Sequence, residues 1–119
     1  MTNRTYEDLI AWKEAHLLCK WAYQHTTSFP KHEMFGLTQQ MRRSAYSVPM
    51  NIAEGNARRS KGDKRRFLEI ALGSLEEFHY QCYLAKELQY LEESAFKDVK
   101  PMICRTSYLI TKLRNTFKK

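Results

Sequence analysis

The chain has little of what interrupts helices: four glycines and three prolines in 119 residues. It lacks any alternating apolar–polar run of useful length, which argues against strands. No stretch of 18 apolar residues occurs, which excludes a membrane-spanning helix. The first residues, MTNRTYEDLIAWKEAH, lack a basic segment followed by an apolar run, so no secretory leader is expected. Cys19, Cys82 and Cys104 are odd in number, far apart and never in C-x-x-C spacing. That pattern suits reduced thiols in a cytoplasm rather than a disulfide framework or a zinc site. Nothing matches a P-loop, a G-x-G-x-x-G turn or a G-x-S-x-G elbow.

What is present is ordinary in amount and unusual in placement. Hydrophobic residues make up 43% and charged residues 28%, which argues against disorder and for one domain spanning residues 1–119. The net charge is +7. Counting Lys and Arg against Asp and Glu, residues 1–56 sum to about +1, 57–66 to about +5, 67–96 to about −5 and 97–119 to about +6. Two basic blocks therefore flank an acidic one. Such a chain attracts polyanions and also copies of itself.

Periodicity predicts four helices and an all-α fold, an antiparallel up-down-up-down bundle. The first is expected from about Tyr6 to Thr27, capped by Thr5, with Leu9, Trp12, Ala15, Cys19 and Ala22 as its inner stripe. The second is expected from about Met34 to Asn56, where Leu37, Met41, Ser44, Val48 and Ile52 recur near a 3.5-residue period. Pro49 inside it removes an amide and predicts a kink, and Gly55 is expected to end it in the left-handed conformation. The third should start at Ser60 to Asp63 and run to about Leu91, with one apolar stripe through Phe67, Ile70, Ala71, Ser74, Phe78, Cys82, Ala85 and Leu88. Leu68, Leu72 and Leu75 form a second stripe. The fourth should run from Ala95 or Lys100 to Thr116, with Pro101 in its first turn. A third helix apolar on two faces points to burial against another subunit.

Three chemistries are compatible with parts of the sequence. Glu76 and His79 have the E-x-x-H spacing of di-iron bundles, but that chemistry needs two such motifs and two further glutamates. The motif occurs once, so no metal or other cofactor is expected. The cysteines sit at or beside apolar helical positions, where a small hydrophobe is the usual meaning. No catalytic residue is assigned. The basic run Arg58, Arg59, Lys61, Lys64, Arg65 and Arg66 remains. Its last three members oppose the dipole at the start of the third helix, which suggests an external anion. Arg42 and Arg43 would widen this surface if the bundle brought them alongside. A phosphate-bearing anion is the expected ligand, and a merely solvated basic loop is the alternative.

The segment FGLTQQMRRSAYSVPMNIAEGNARRSKGDKRRFLEIALGSLEE resembles the core of a four-helix-bundle family. That family is named for proteins encoded in intervening sequences of bacterial 23S ribosomal RNA genes. YEDLIAWKEAHLL and FPKHEMFGL fit its phrasing too. Its S-x-P-x-N-I-A-E-G phrase falls on Ser47, Pro49, Asn51, Ile52, Ala53, Glu54 and Gly55. The resemblance implies a left-handed bundle, a homopentameric ring and no catalytic residues, with Ser47, Pro49, Asn51, Glu54 and Gly55 in structural roles. The chain is also similar to retroelement accessory proteins that bind nucleic acid and a reverse transcriptase. The resulting expectation is a cytoplasmic, non-enzymatic RNA-binding oligomer with no membrane partner. The alternative is a scaffold or accessory subunit that docks a partner protein.

Overall fold

The computed structural model describes residues 5–118, which form four α-helices and two short 3-10 turns. A turn over Thr5–Asp8 leads into α1, Ile10–Thr26. A second turn, Lys31–Glu33, precedes α2, Leu37–Ala57. Helix α3 spans Lys61–Glu87 and α4 spans Glu93–Asn115. Each helix packs on its neighbours in sequence, and α1 closes the bundle against α4.

Cross-helix pairs fix the directions. Late α1 meets early α2 where Arg42 Nε donates to Thr26 Oγ1, while Thr5, ahead of α1, meets Asn56 late in α2. Ser44 meets Gln81 and Ser47 meets Ser74 across α2 and α3. Arg114 lies 4.0 Å from Glu69 at one end of the α3–α4 pair, and Phe96 packs on Tyr83 at the other. All three consecutive pairs run antiparallel, and the bundle measures 44 × 29 × 21 Å.

Leu18, Met41, Val48, Ile52, Leu75, Phe78, Val99 and Ile110 are essentially inaccessible and form the core from all four helices. Within α2 the predicted seam holds: Met41, Ser44, Val48 and Ile52 are buried. The stripe on α1 is rotated from its expected place. Ala11, Ala15, Leu18, Trp21 and Ala22 face inward, while Leu9, Trp12 and Cys19 pack only at its edge. Small alanines let neighbouring backbones approach, and Leu18 and Trp21 fill the space between them. On α3 the two expected stripes merge into one buried set, Leu68, Ala71, Leu75, Phe78, Cys82 and Ala85, and Ile70 and Leu88 are exposed.

Several helix ends differ from expectation. Thr5 does not cap α1; its hydroxyl instead accepts from Asn56 Nδ2 at 2.7 Å. Ser60 does cap α3, its Oγ accepting from the Asp63 amide at 3.1 Å. That helix ends at Glu87 because Gln89 turns left-handed, with φ of 65°, and the Tyr90 amide reaches back to the Ala85 carbonyl. Helix α4 begins earlier than expected, so Pro101 lies inside it rather than in its first turn. Lys97, whose carbonyl loses its usual partner there, is exposed, and water can take that bond.

Gly55 is the clearest correction. It does not end α2 in a left-handed conformation; it sits buried inside the helix, which continues to Ala57. A Cβ at this position would lie 3.0 Å from Phe67 Cβ and 3.4 Å from the Lys64 carbonyl oxygen. The glycine therefore permits close approach of α2 to α3. Gly73, by contrast, has nothing within 4 Å of such a Cβ.

Glu33 ties the two connectors at the far end together. Its Oε1 accepts from the Leu37 amide at 3.0 Å and its Oε2 accepts from Tyr90 Oη at 3.0 Å. These bonds favour the ionised carboxylate and hold it below the usual range, while the same contact raises the Tyr90 phenol.

Two predictions follow from these contacts. Gly55→Ala should destabilise the bundle by about 1 kcal/mol, since overpacking of about 1–3 kcal/mol exceeds a helix-propensity gain of about 1 kcal/mol. Gly73→Ala should stabilise it by about 0.5–1 kcal/mol. Urea midpoints of the two variants should move in opposite directions, and a shared direction would refute the close-approach role. Because the Glu33 pKa is depressed on folding, its contribution is present above the unfolded carboxylate pKa and is lost as pH falls through the folded one. Glu33→Gln should flatten the acid limb of the stability–pH curve, and an unchanged limb would refute the clasp.

Candidate nucleic-acid interface

Only Arg58, Arg59 and Ser60 separate α2 from α3, so a short link carries the basic run around a helix hairpin. The six cations do not behave alike. Arg58 is 3.4 Å from Glu54 one turn back and lies over the Phe67 ring, 4.7 Å from its centroid. Lys64 is half-buried; its Nζ donates to the Asn56 carbonyl at 3.0 Å and sits above Phe117. Arg65 is 3.8 Å from Glu69. Arg59, Lys61 and Arg66 are exposed and form no ion pair among the described residues.

Lys64 has a structural explanation that its sequence position hides. It opposes the dipole at the start of its own helix but complements the carbonyl end of α2, where a cation is favoured. The apparent electrostatic conflict is thus partly resolved within the chain. The three unpaired cations are not so explained. They lie beside the α3 N-terminus, whose first-turn amides have no intrahelical partners. Arg65, Arg66, Gly62 and Glu69 border a shallow groove there.

The extent of the surface differs from expectation at one place and gains a residue at another. Arg42 and Arg43 do not lie alongside this surface: fifteen residues of helix place Arg43 about 22 Å from Arg58 along α2. Their end of the bundle forms a separate groove with Tyr23, Phe35 and Tyr46. Conversely, Arg114 at the end of α4 does reach the junction, 4.0 Å from Glu69. The charge count over residues 97–119 carried that signal, but only the α3–α4 pairing shows where it lands.

The residues of the S-x-P-x-N-I-A-E-G phrase hold the hairpin. Ser47 Oγ is 2.9 Å from Ser74 Oγ, and Asn51 Nδ2 donates to the Ser47 carbonyl at 2.8 Å and to its hydroxyl at 2.9 Å. Pro49 lies within α2, and with Glu54 it borders an apolar groove of about 690 Å³ shared with Trp12, Tyr46 and Met50. Glu54 pairs with Arg58 and Gly55 receives Phe67.

The weighed chemistries find little geometry. Among the described residues, no three His, Cys, Asp or Glu side chains gather as a metal-binding group. Burial pushes the Cys82 thiol up to about 12 and raises Cys19 as well, so both are protonated at neutral pH. Cys104 is exposed rather than part of an apolar stripe. It borders a groove with Glu76 and His79, without a hydrogen bond to either. The His79 ring instead stacks near Phe96.

Comparison with known proteins agrees with this architecture. The family model for the 23S rRNA-intervening sequence protein matches residues 7–112. A crystal structure of a protein with unknown function from the S23 ribosomal protein family of Bacteroides thetaiotaomicron VPI-5482 superposes with a TM-score of 0.79. The two chains are 18% identical, and the match covers 88% of this chain and 98% of the other. Comparison with curated proteins returns no match.

The division of cations can be tested by stability. Lys64→Ala should cost about 1 kcal/mol, because it removes a charge-assisted bond to a helix-end carbonyl. Arg59→Ala, Lys61→Ala and Arg66→Ala should each stay within about 0.5 kcal/mol of wild type. Equal losses for all four in thermal unfolding would erase the distinction.

Proposed function

The chain belongs to the 23S rRNA-intervening sequence protein family, and we propose that it is a non-enzymatic, self-associating protein that binds RNA phosphates at its α2–α3 junction. The observation that carries this reading is the set of three exposed, unpaired cations, Arg59, Lys61 and Arg66, beside the first turn of α3. Guanidinium groups suit phosphate because their planar fork donates two parallel bonds. Arg58 and Arg65, each shared with one glutamate, and Arg114 extend the positive surface. The same surface at a neighbouring subunit would add to it in a ring. Apolar side chains outside the core, including Ile10, Leu17 and Ile70, support such assembly.

A protein-docking scaffold is the rival reading, and salt separates the two. Replacing Arg59, Lys61 and Arg66 with Ala should flatten the log–log salt dependence of single-stranded RNA binding by about two units, at roughly 0.7 per phosphate neutralised. The variant should remain folded, since none of these side chains enters the core. Equal slopes for wild type and variant would sink the phosphate site, and absence of salt-dependent RNA affinity would favour the scaffold. Light scattering should give a mass several times the 14.2 kDa chain. A monomer at micromolar concentration would overturn self-association alone.

A further inference from the structure

The far end of α2 carries a second basic surface of different character. Tyr23, Phe35, Gln39, Arg42, Arg43 and Tyr46 border an open-sided groove of about 530 Å³, within the range that small-ligand sites occupy. Phe35 is 86% exposed, the highest value among the exposed large hydrophobic side chains. Tyr23 and Tyr46 are also exposed. No acidic residue borders the groove, and neither arginine forms an ion pair among the described residues. Nearby Glu33 is committed to the Leu37 amide and Tyr90.

Arg42 is held in place before any ligand arrives. Its Nε donates to Thr26 Oγ1 at 2.8 Å, and its guanidinium lies 4.9 Å from the Tyr23 ring centroid. These contacts fix the plane of the group and leave its terminal nitrogens for other acceptors. Arg43 is exposed beside it. At the α2–α3 junction the rings are less open: Phe67 is half-buried and covered by Arg58, and Phe117 is half-buried beneath Lys64. The two ends of α2 thus differ in chemistry: half-buried rings covered by cations at one, cations beside open aromatic rings at the other.

We propose that the Phe35–Arg42–Arg43 groove binds an unpaired nucleobase of RNA. The base stacks on Phe35 or Tyr46, Arg42 and Arg43 contact adjoining phosphates, and the Gln39 amide is available to the base edge. This inference rests on the RNA-binding reading above but adds a preference for unpaired strands, which phosphate contacts alone do not give. Aromatic stacking is open to any base, so discrimination falls between single strand and duplex more than among sequences.

The test compares wild type with the Phe35→Ala/Tyr46→Ala variant on a 20-nucleotide oligouridine and on a perfectly paired RNA duplex of equal length. Both are measured by fluorescence anisotropy at one salt concentration. The variant should lose about tenfold or more in affinity for oligouridine and change little on duplex. Phe35→Trp should keep the single-strand affinity. An unchanged single-strand affinity, or equal loss on both RNAs, overturns the base site while leaving the junction reading intact. Loss of assembled mass by light scattering in the double variant would identify the groove as a contact between copies and also overturn it. Wild type that binds neither RNA overturns both readings.

Discussion

The buried polar seam between α2 and α3 is the constraint on which the rest of the structure depends. Ser44 Oγ lies 2.5 Å from Gln81 Oε1, Ser47 bonds Ser74, and Asn51 bonds Ser47. Apolar contacts tolerate sliding by a heptad, because one Leu or Ala replaces another. Hydroxyls and amides do not, since each buried group left without a partner costs about 1–3 kcal/mol. No buried side-chain nitrogen or oxygen among the described residues lacks a partner in the observed register. That register also brings Gly55 against Phe67 and Lys64 against the last carbonyls of α2. The basic surface is thus placed by a seam that contains none of its cations.

Charge is distributed along the molecule by the same hairpin. Because α2 and α3 run antiparallel, the junction gathers cations from the end of one helix, the start of the next and the C-terminal part of α4. Of the acids of α3, Asp63 and Glu69 lie at the junction, Glu69 beside Arg65 and Arg114, while Glu76 and Glu77 are exposed farther along. At the opposite end, Glu33 holds two connectors together, and neither Arg42 nor Arg43 forms an ion pair among the described residues. Both arginine surfaces owe their positive character to where the acids are engaged as much as to where the bases are.

Much of the fold was legible because helical periodicity and the scarcity of glycine and proline reinforce each other. Most of the α2 seam was readable to the residue, and the start of α3 to within Ser60–Asp63. Other features depend on partners that a single helix cannot display. The inner face of α1 mixes three alanines with Leu18 and Trp21, and a helix apolar over a wide arc does not show which of its stripes faces inward. Gly55 carries the same local signal whether it ends a helix or admits a neighbouring phenylalanine. Pro101 looked like a first-turn residue because the exposed Lys97 carbonyl, which makes it tolerable inside α4, has no sequence signature. In the candidate site, the basic run was plain, but its partition into engaged and free cations was not. Arg114 arrives from fifty residues away, and Arg42 and Arg43 depart along a rigid helix.

Helices adjacent in the chain account for most of the packing, and the α1–α4 closure is the main contact between helices distant in the chain. Low contact order of this kind favours rapid folding, with helix hairpins forming before the bundle closes. The α2–α3 hairpin has the shortest link and the polar seam, which makes it the natural nucleus. Its turn, however, concentrates six cations between Arg58 and Arg66 around one acid, Asp63. Closing the hairpin therefore works against like-charge repulsion, and counter-ions that gather there lower the folding barrier as well as the energy of the finished bundle. The cations that the proposed phosphate site would use are therefore the same ones that oppose closing this hairpin, so a polyanion there would relieve a cost of folding as well as find a site.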